Sequence, residues 1–339
     1  MRQHAAIILL TACAVLLVAA NLLWGSLDIP LQSVVRILSG ESESQNPAWR
    51  FIVLESRIPQ ALTALLCGAS LSTCGLMLQT LFRNPLAGPG ILGIDAGANL
   101  GVALVMLLLG GSLGLGGLSL GGYVLVVAAA MVGATAIMLL LLVLSHTLRS
   151  ATMLLITGVV VSYVTGSVIS LLNYSATEEG VHNFIIWGMG NFGSVSLAHL
   201  PLYAALLLAG LVAAVLLAKP LNALLLGERY ATNLGINVRR TRGFLLCCTG
   251  LLTATTTAFC GPISFLGLAV PHIARMLLRT SDHRVLLPGA MLTGGCLTLA
   301  CNLLCTQLRQ GSVLPINVVT PLIGAPVILY VILKQNKYT

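Results

Sequence analysis

The sequence predicts an all-α integral membrane protein, a single transmembrane domain of about ten helices over residues 1–339. Three observations predict it. Only 8% of the residues are charged and 57% are hydrophobic, whereas a soluble domain carries about 25% charge. Charge-free windows recur at 58–82, 96–148, 150–177, 180–218, 243–274, 285–308 and 310–333. Those windows are continuous runs rich in Leu, Ala and Gly. Strands of a membrane barrel would be short and alternating, so helices are the spanning structure that satisfies the backbone here.

A spanning helix needs about 20 apolar residues. The first span covers 5–24 and ends on an interfacial Trp24. Its apolar run continues past Ala20 through Leu22 and Leu23, so it reads as an uncleaved helix rather than a signal peptide. The second covers 58–80. The third and fourth, 91–109 and 121–144, divide one long window, with glycine-rich 110–122 as the turn between them. Spans at 152–172, 199–218, 243–260, 262–278, 286–305 and 316–333 follow. Pro262 and Pro271 make the eighth short or broken.

Ten spans put both termini on one side. That side then carries thirteen Lys and Arg, from Arg2 and Arg83 to Lys334 and Lys337, and the other carries four: Arg36, Arg50, Arg57 and Arg309. Lysine and arginine gather in cytoplasmic loops, so both termini are expected in the cytoplasm. The net charge of +8 follows from topology. No basic groove interleaved with aromatics is present, so the expected surroundings are lipid and no nucleic acid.

Nine cysteines lie in apolar runs without a CxxC pair. Cys301 and Cys305 share a helix face but read as small buried thiols, so neither a metal nor a cofactor is expected. Every acidic residue, Asp95 included, falls at a predicted helix end or loop. That speaks against a proton relay and against the rival reading, an ion-coupled secondary carrier or channel acting alone. No GxxxxGK[ST] loop, GxSxG elbow or HExxH helix occurs. The chain is therefore expected to be non-catalytic, and an ATP motor would be another polypeptide. The longest cytoplasmic loop, 219–242, has an amphipathic front half with Leu221, Leu224, Leu225 and Leu226 before Glu228, Arg229 and Tyr230. A helix-in-groove contact with such a motor has this form.

The ordered motifs resemble the FecCD-type permease subunit of type II ABC importers, which carry iron–siderophores, haem and cobalamin. They are Arg57-Ile58-Pro59, the string Arg83-Asn84-Pro85-Leu86-Ala87 with Pro89, Ile91-Leu92-Gly93 and Gly97-Ala98, then Gly227-Glu228, Ala231 and Leu234-Gly235. Gly261 to Leu268, Pro271-His272, Arg275, Asp282-His283-Arg284 and Gly324-Ala325-Pro326 complete the set. The match runs from about 50 to 333. It implies ten helices, a second and usually identical permease copy, two ATP-binding subunits and an extracytoplasmic substrate-binding protein, in a bacterial inner membrane. Iron–siderophore or haem is preferred to cobalamin as cargo only because iron chelates form the larger class.

By the same resemblance Gly227, Glu228, Ala231, Leu234 and Gly235 form the ATPase coupling segment. Arg57 receives acidic residues of the binding protein. Span five, whose small and hydroxylated residues are Thr157, Ser162, Thr165, Gly166, Ser167, Ser170 and Asn173, lines the central path, with Thr157, Ser162 and Thr165 as the path candidates, and Trp187 closes a gating segment at 174–190. Arg83, Asn84, Pro85, Gly93, Pro271 and His272 are read as a conformational motif rather than a substrate site, with Asn84 and Asp95 capping helix three. The chain departs from the family at Gln60, where a second arginine is frequent, and at Asn302 and Thr306, where an aspartate and an arginine are common. Arg50, Arg36 and Arg309 are the candidates to replace them in docking.

Overall fold

Two glycines make the second predicted span the axle of the molecule. Helix α4 (Ile58–Phe82) is buried along nearly its whole length. A Cβ at Gly68 would lie 2.3 Å from the Gly294 carbonyl oxygen, and one at Gly75 only 1.7 Å from that of Gly267. Backbones thus touch where side chains would hold them apart, the usual basis of helix association in lipid. Gly294 belongs to α14 (His283–Gln307) and Gly267 to α13 (Leu266–Leu278). Ser72 adds a hydrogen bond to the Ala290 carbonyl at 2.8 Å, and Thr298 one to that of Ala64 at 2.7 Å.

The computed structural model describes residues 2–40, 46–108, 113–115, 118–120, 122–148, 150–307 and 313–335. The remaining spans are α1 (Arg2–Leu23), α5 (Ile94–Ala103, prolonged by π-turns over Leu104–Leu108), α6 (Gly122–Thr147), α7 (Ala151–Ser175), α9 (Leu200–Leu216), α12 (Val238–Cys260) and α15 (Ile316–Gln335). Among the described residues six helices are long and apolar enough to cross a membrane alone. A seventh span joins α9 to α10 (Ala218–Leu225) through a 51° bend. Ile94–Leu108, Leu266–Leu278 and Ile316–Tyr330 are shorter apolar helices, which brings the apolar segments to the expected ten.

Shorter elements decorate the ends. They are α2 (Leu31–Leu38), α3 (Pro47–Phe51), α8 (Glu178–Gly188) and α11 (Glu228–Asn233). Strands Leu113–Leu115 and Leu118–Leu120 pair antiparallel inside the glycine-rich connection, so that turn is a small hairpin.

Helices α5 and α13 are short because both begin inside the bundle. The expected starts at 91 and 262 prove too early. After α4 the chain makes a 3-10 turn over Pro89–Leu92 and turns on Gly93 at φ +79°. After α12 it turns on Gly261 at φ +76° and Phe265 at φ +69° before α13 starts. A Cβ on Gly93 would meet Ser162 and the Gly158 carbonyl of α7, and one on Gly267 would meet Pro89 and the Leu71 carbonyl. These neighbours lie well inside α7 and α4, so the two irregular segments face each other within the membrane. Such backbone is tolerated at that depth only inside protein or against a cavity.

The loops sort into two poles. Arg83, α10, α11, Arg239 and Arg242 share one, where Arg239 bonds the His146 carbonyl and Arg242 that of Leu148. Arg57, Asn21, Gln60 and Gly190 occupy the other with the start of α15. Arg149, Arg309 and Lys337 lie outside the described residues. Gly75→Ala should destabilise the protein by about 2 kcal/mol or more, the cost of overpacking a tight core. Gly166, with nothing within 4 Å of its Cβ position, should accept alanine at no cost. Thermal unfolding of the two purified variants checks the contrast.

Candidate functional site

At the arginine-rich pole, Gly227 at φ +110° turns the chain from α10 into α11, and Gly235 at φ +81° turns it out again. Ala231 is fully buried between them. Glu228 starts α11 and accepts a 2.7 Å hydrogen bond from Arg242 of α12, whose side chain is only 5% exposed. Glu228 keeps 40% of its side chain exposed, so the pair ties the start of α11 to α12 at the surface edge. Leu226, Tyr230 and Leu234 stay exposed. An open groove of about 940 Å³ runs between Arg83, Ser150, Thr152 and Tyr230. All five residues expected in the coupling segment are thus brought together on one rigid step.

That step is tied to the bundle by contacts absent from the sequence reading. Asn222 of α10 accepts from the His283 backbone N–H at 2.8 Å, lies 2.8 Å from its Nδ1, and donates to Asp282 at 2.6 Å. The other His283 ring nitrogen lies 2.8 Å from Thr80 Oγ1 on α4. The Arg284 backbone N–H and the Asn222 amide hold the Asp282 carboxyl below the usual carboxylate range. No spacing pattern announces a contact between residues sixty or two hundred positions apart.

The proline- and glycine-rich string after α4 is built as expected for a turn, with one correction. Arg83 closes α4 at φ 48°, Asn84 Oδ1 accepts from the Leu86 backbone N–H at 2.9 Å, and His272 bonds the Pro85 carbonyl at 2.9 Å. Pro271 is buried within α13 beside it. Neither Asn84 nor Asp95 caps α5, however. Gly93 is its N-cap, without a side-chain bond, and Asp95 accepts from Thr257 of α12 at 2.7 Å. Asp95 stands in the first turn of α5, at a helix end as expected, but that end lies within the bundle rather than at the membrane face. The reason is the late start of α5.

Helix α7 presents a broad open face. Tyr163 and Tyr174 are 75% and 90% exposed, and Ser167 and Ser170 share that side with them at helical spacing. Thr165 points the other way and is buried, bonding the Val161 and Ser162 carbonyls. Ser162 packs on Gly93 and bonds Gly158, and Thr157 is half-buried at the margin. Of the three residues expected on the path, Thr165 is a correction. Tyr163 and Tyr174, absent from the sequence reading, sit on the open face with Ser167 and Ser170 of the expected polar set, and their i, i+4, i+7, i+11 spacing was the available signal.

At the second pole Arg57 has partners within its own chain. Its side chain is 5% exposed and donates to the Leu22 and Leu23 carbonyls at 2.9 Å and to that of Leu27. It closes the end of α1 with three of its five N–H donors. Arg50 is exposed, and Arg309 lies outside the described residues. Gln60 donates to Asn302 at 3.0 Å, and Asn302 to Asn21 at 2.8 Å. Trp187 is half-buried against Phe184 at the end of α8. Asn317 of α15 bonds the Gly188 and Pro262 carbonyls, which ties that end to the break before α13.

Among the described residues no group of three or more His, Cys, Asp or Glu is placed to hold a metal. Cys301 and Cys305 are buried free thiols.

The family model of the FecCD transport family matches residues 12–334. The hemin transport system permease protein HmuU of Yersinia pestis is 35% identical, over 87% of this chain and 86% of that protein. The vitamin B12 import system permease protein BtuC of Salmonella arizonae is 35% identical, over 92% and 93%. A solved structure described as an inward-facing metal-chelate type ABC transporter superposes with a TM-score of 0.83. It is 28% identical and covers 97% of this chain and 98% of its own.

Removing the Arg57 guanidinium would strand three carbonyls, each hydrogen bond to a charged group being worth about 1.5–3 kcal/mol. Arg57→Ala should therefore lower the unfolding temperature and the folded yield, and Arg50→Ala should change neither. Size-exclusion profiles after graded heating distinguish the two.

Proposed function

Since the chain belongs to the FecCD transport family and is the permease subunit of a type II ABC importer, we propose that it moves an iron–siderophore or haem chelate inward across a bacterial cytoplasmic membrane. In this reading a separate pair of ATP-binding subunits drives the step and a second copy of the chain completes the path. An extracytoplasmic binding protein delivers the cargo. Both termini and the pole of Arg83, Glu228 and Arg242 face the cytoplasm, in keeping with the positive-inside rule. Cobalamin is the second reading, and the vitamin B12 permease among the relatives favours it as directly as the hemin permease favours haem.

One observation carries the assignment: the α10–α11 step. It presents Leu226, Tyr230 and Leu234 outward while Glu228–Arg242, buried Ala231 and Asn222 fix it to α12, α14 and, through His283, to α4. An apolar, rigidly mounted helical turn suits docking into a groove of a cytosolic partner. A push on it reaches the spanning helices without loss in a flexible linker. Gly227 and Gly235 supply the turns at either end.

The remaining roles follow from placement. The open face of α7 would line the path between two copies, with Thr157 at its edge. Trp187 and α8 would gate it from outside, where Asn317 links them to α15. With Arg57 committed to α1, docking of the binding protein would fall to Arg50 and Arg309.

Affinity purification of the tagged chain from its host should bring down an ATP-binding subunit at one per permease. Leu234→Glu, at an exposed position, should lower that recovery more than tenfold with the permease still folded. A chain that purifies alone and still moves a solute in liposomes would return the ion-coupled carrier or channel reading.

A further inference from the structure

The two irregular segments inside the membrane enclose a cavity of about 260 Å³. Gly90, Ile91 and Asp95 line one side, and Ser264, Phe265 and Leu268 the other. It opens outward, because Gly90 and Ser264 are exposed. Helix α7 packs on one flank through Ser162 and Gly158 against Gly93, and α15 on the other through Gly324 against Phe265. The opening therefore lies beside the polar stripe of α7.

Asp95 is the one acidic residue in this wall. One carboxylate oxygen accepts from Thr257 at 2.7 Å, and the other points toward Gly90, where an added Cβ would stand 3.5 Å from it. Among the described residues the ion pair within 4 Å is Arg242–Glu228, so no lysine, arginine or histidine described here neutralises Asp95. A carboxylate at membrane depth costs about 2.5–3.5 kcal/mol on insertion scales. Such a residue is expected to face a cavity and serve a solute.

We propose that Asp95, with Ser264 on the opposite wall, is a recognition point for an organic cation, an ammonium or guanidinium group carried by the transported solute. A bare metal ion fits poorly. Calcium takes six to eight oxygen ligands and magnesium six in a close octahedron, whereas this wall offers one free carboxylate oxygen and one hydroxyl. Its other members are apolar, Ile91, Phe265 and Leu268 among them. They suit the carbon frame of an organic cation, and Phe265 adds an aromatic ring of the kind cations favour. The proposal rests on the cavity being part of the importer's path. It narrows the cargo to a chelate bearing a positive, hydrogen-bond-donating group.

The test places a thiol across the cavity, Ser264→Cys, in membranes carrying the chain, with the parent chain as the blank for its nine native cysteines. Rates are measured with methanethiosulfonates bearing a trimethylammonium or a sulfonate group and normalised to a free thiol. The cationic reagent should react about tenfold faster than the anionic one, in line with the 10–10³ gain that a charged cleft gives an opposite charge. Asp95→Asn should bring the ratio to within about twofold of unity, and Asp95→Glu should keep it. Guanidinium or methylammonium at millimolar concentration should slow the cationic reagent severalfold, and sodium at equal ionic strength should not.

Absence of labelling above the parent, a ratio indifferent to Asp95→Asn, or equal protection by sodium would each overturn the proposal. Because labelling needs no ATPase, its outcome is independent of the co-purification experiment. The importer reading and the cation site can therefore fail separately.

Discussion

Everything in this structure answers to one constraint: within the hydrocarbon layer, each backbone N–H and C=O must find its partner inside the protein. Ten apolar helical segments meet it in the simplest way. The departures from simple helices mark the places of interest. The chain leaves helical geometry at two points inside the bundle, 83–93 and 261–265, and each is covered by other protein. Pro85's carbonyl is taken by His272, Pro262's by Asn317, and Cys260's by the Asn191 backbone. Gly68, Gly75, Gly267 and Gly294 allow the close approach that brings these covering groups into range.

The same constraint explains the behaviour of the arginines. At a membrane end the last carbonyls of a helix lack intrahelical donors, and a guanidinium supplies several at once. Arg57 does this for α1, Arg242 reaches Leu148 beyond α6, and Arg239 reaches His146. An arginine in a loop thus counts toward topology and, at the same time, closes a helix. The first role is visible in the sequence and the second is not, because the carbonyl partner lies thirty to ninety residues away. For Arg57 this hidden role is the closing of α1.

Legibility follows the range of the interaction. Span number and the charge asymmetry of the loops are sums over many residues, and composition alone carries them. The turn at Arg83 to Gly93 was readable because proline and glycine act locally. The depth of Asp95 was not. It depends on how far the chain travels into the bundle before α5 starts, and on Gly93 finding room against Gly158 and Ser162. Thr165 was misread for a related reason. A hydroxyl-rich helix looks polar on every side, since Thr165, Ser167 and Ser170 all bond their own backbone, and only packing shows that Thr165 is buried while Tyr163, Ser167 and Ser170 look outward.

The positions where this chain departs from its family become intelligible together. Taken one at a time, Gln60 and Asn302 look like the loss of an arginine and, separately, of an aspartate. In the structure they are hydrogen-bonded to each other, and Asn302 continues to Asn21, which in turn bonds the Leu299 carbonyl. Removing one member of a buried charge pair leaves the other uncompensated and costs about 3–5 kcal/mol, while replacing both by groups that satisfy each other is close to neutral. Two amides meet that requirement, since each offers a donor and an acceptor. Gln60, Asn302 and Asn21 therefore form one hydrogen-bonded amide chain at the junction of α1, α4 and α14. Amides in place of an arginine and an aspartate remove one charge of each sign, so the net charge of this pole is unchanged while its connectivity stays intact.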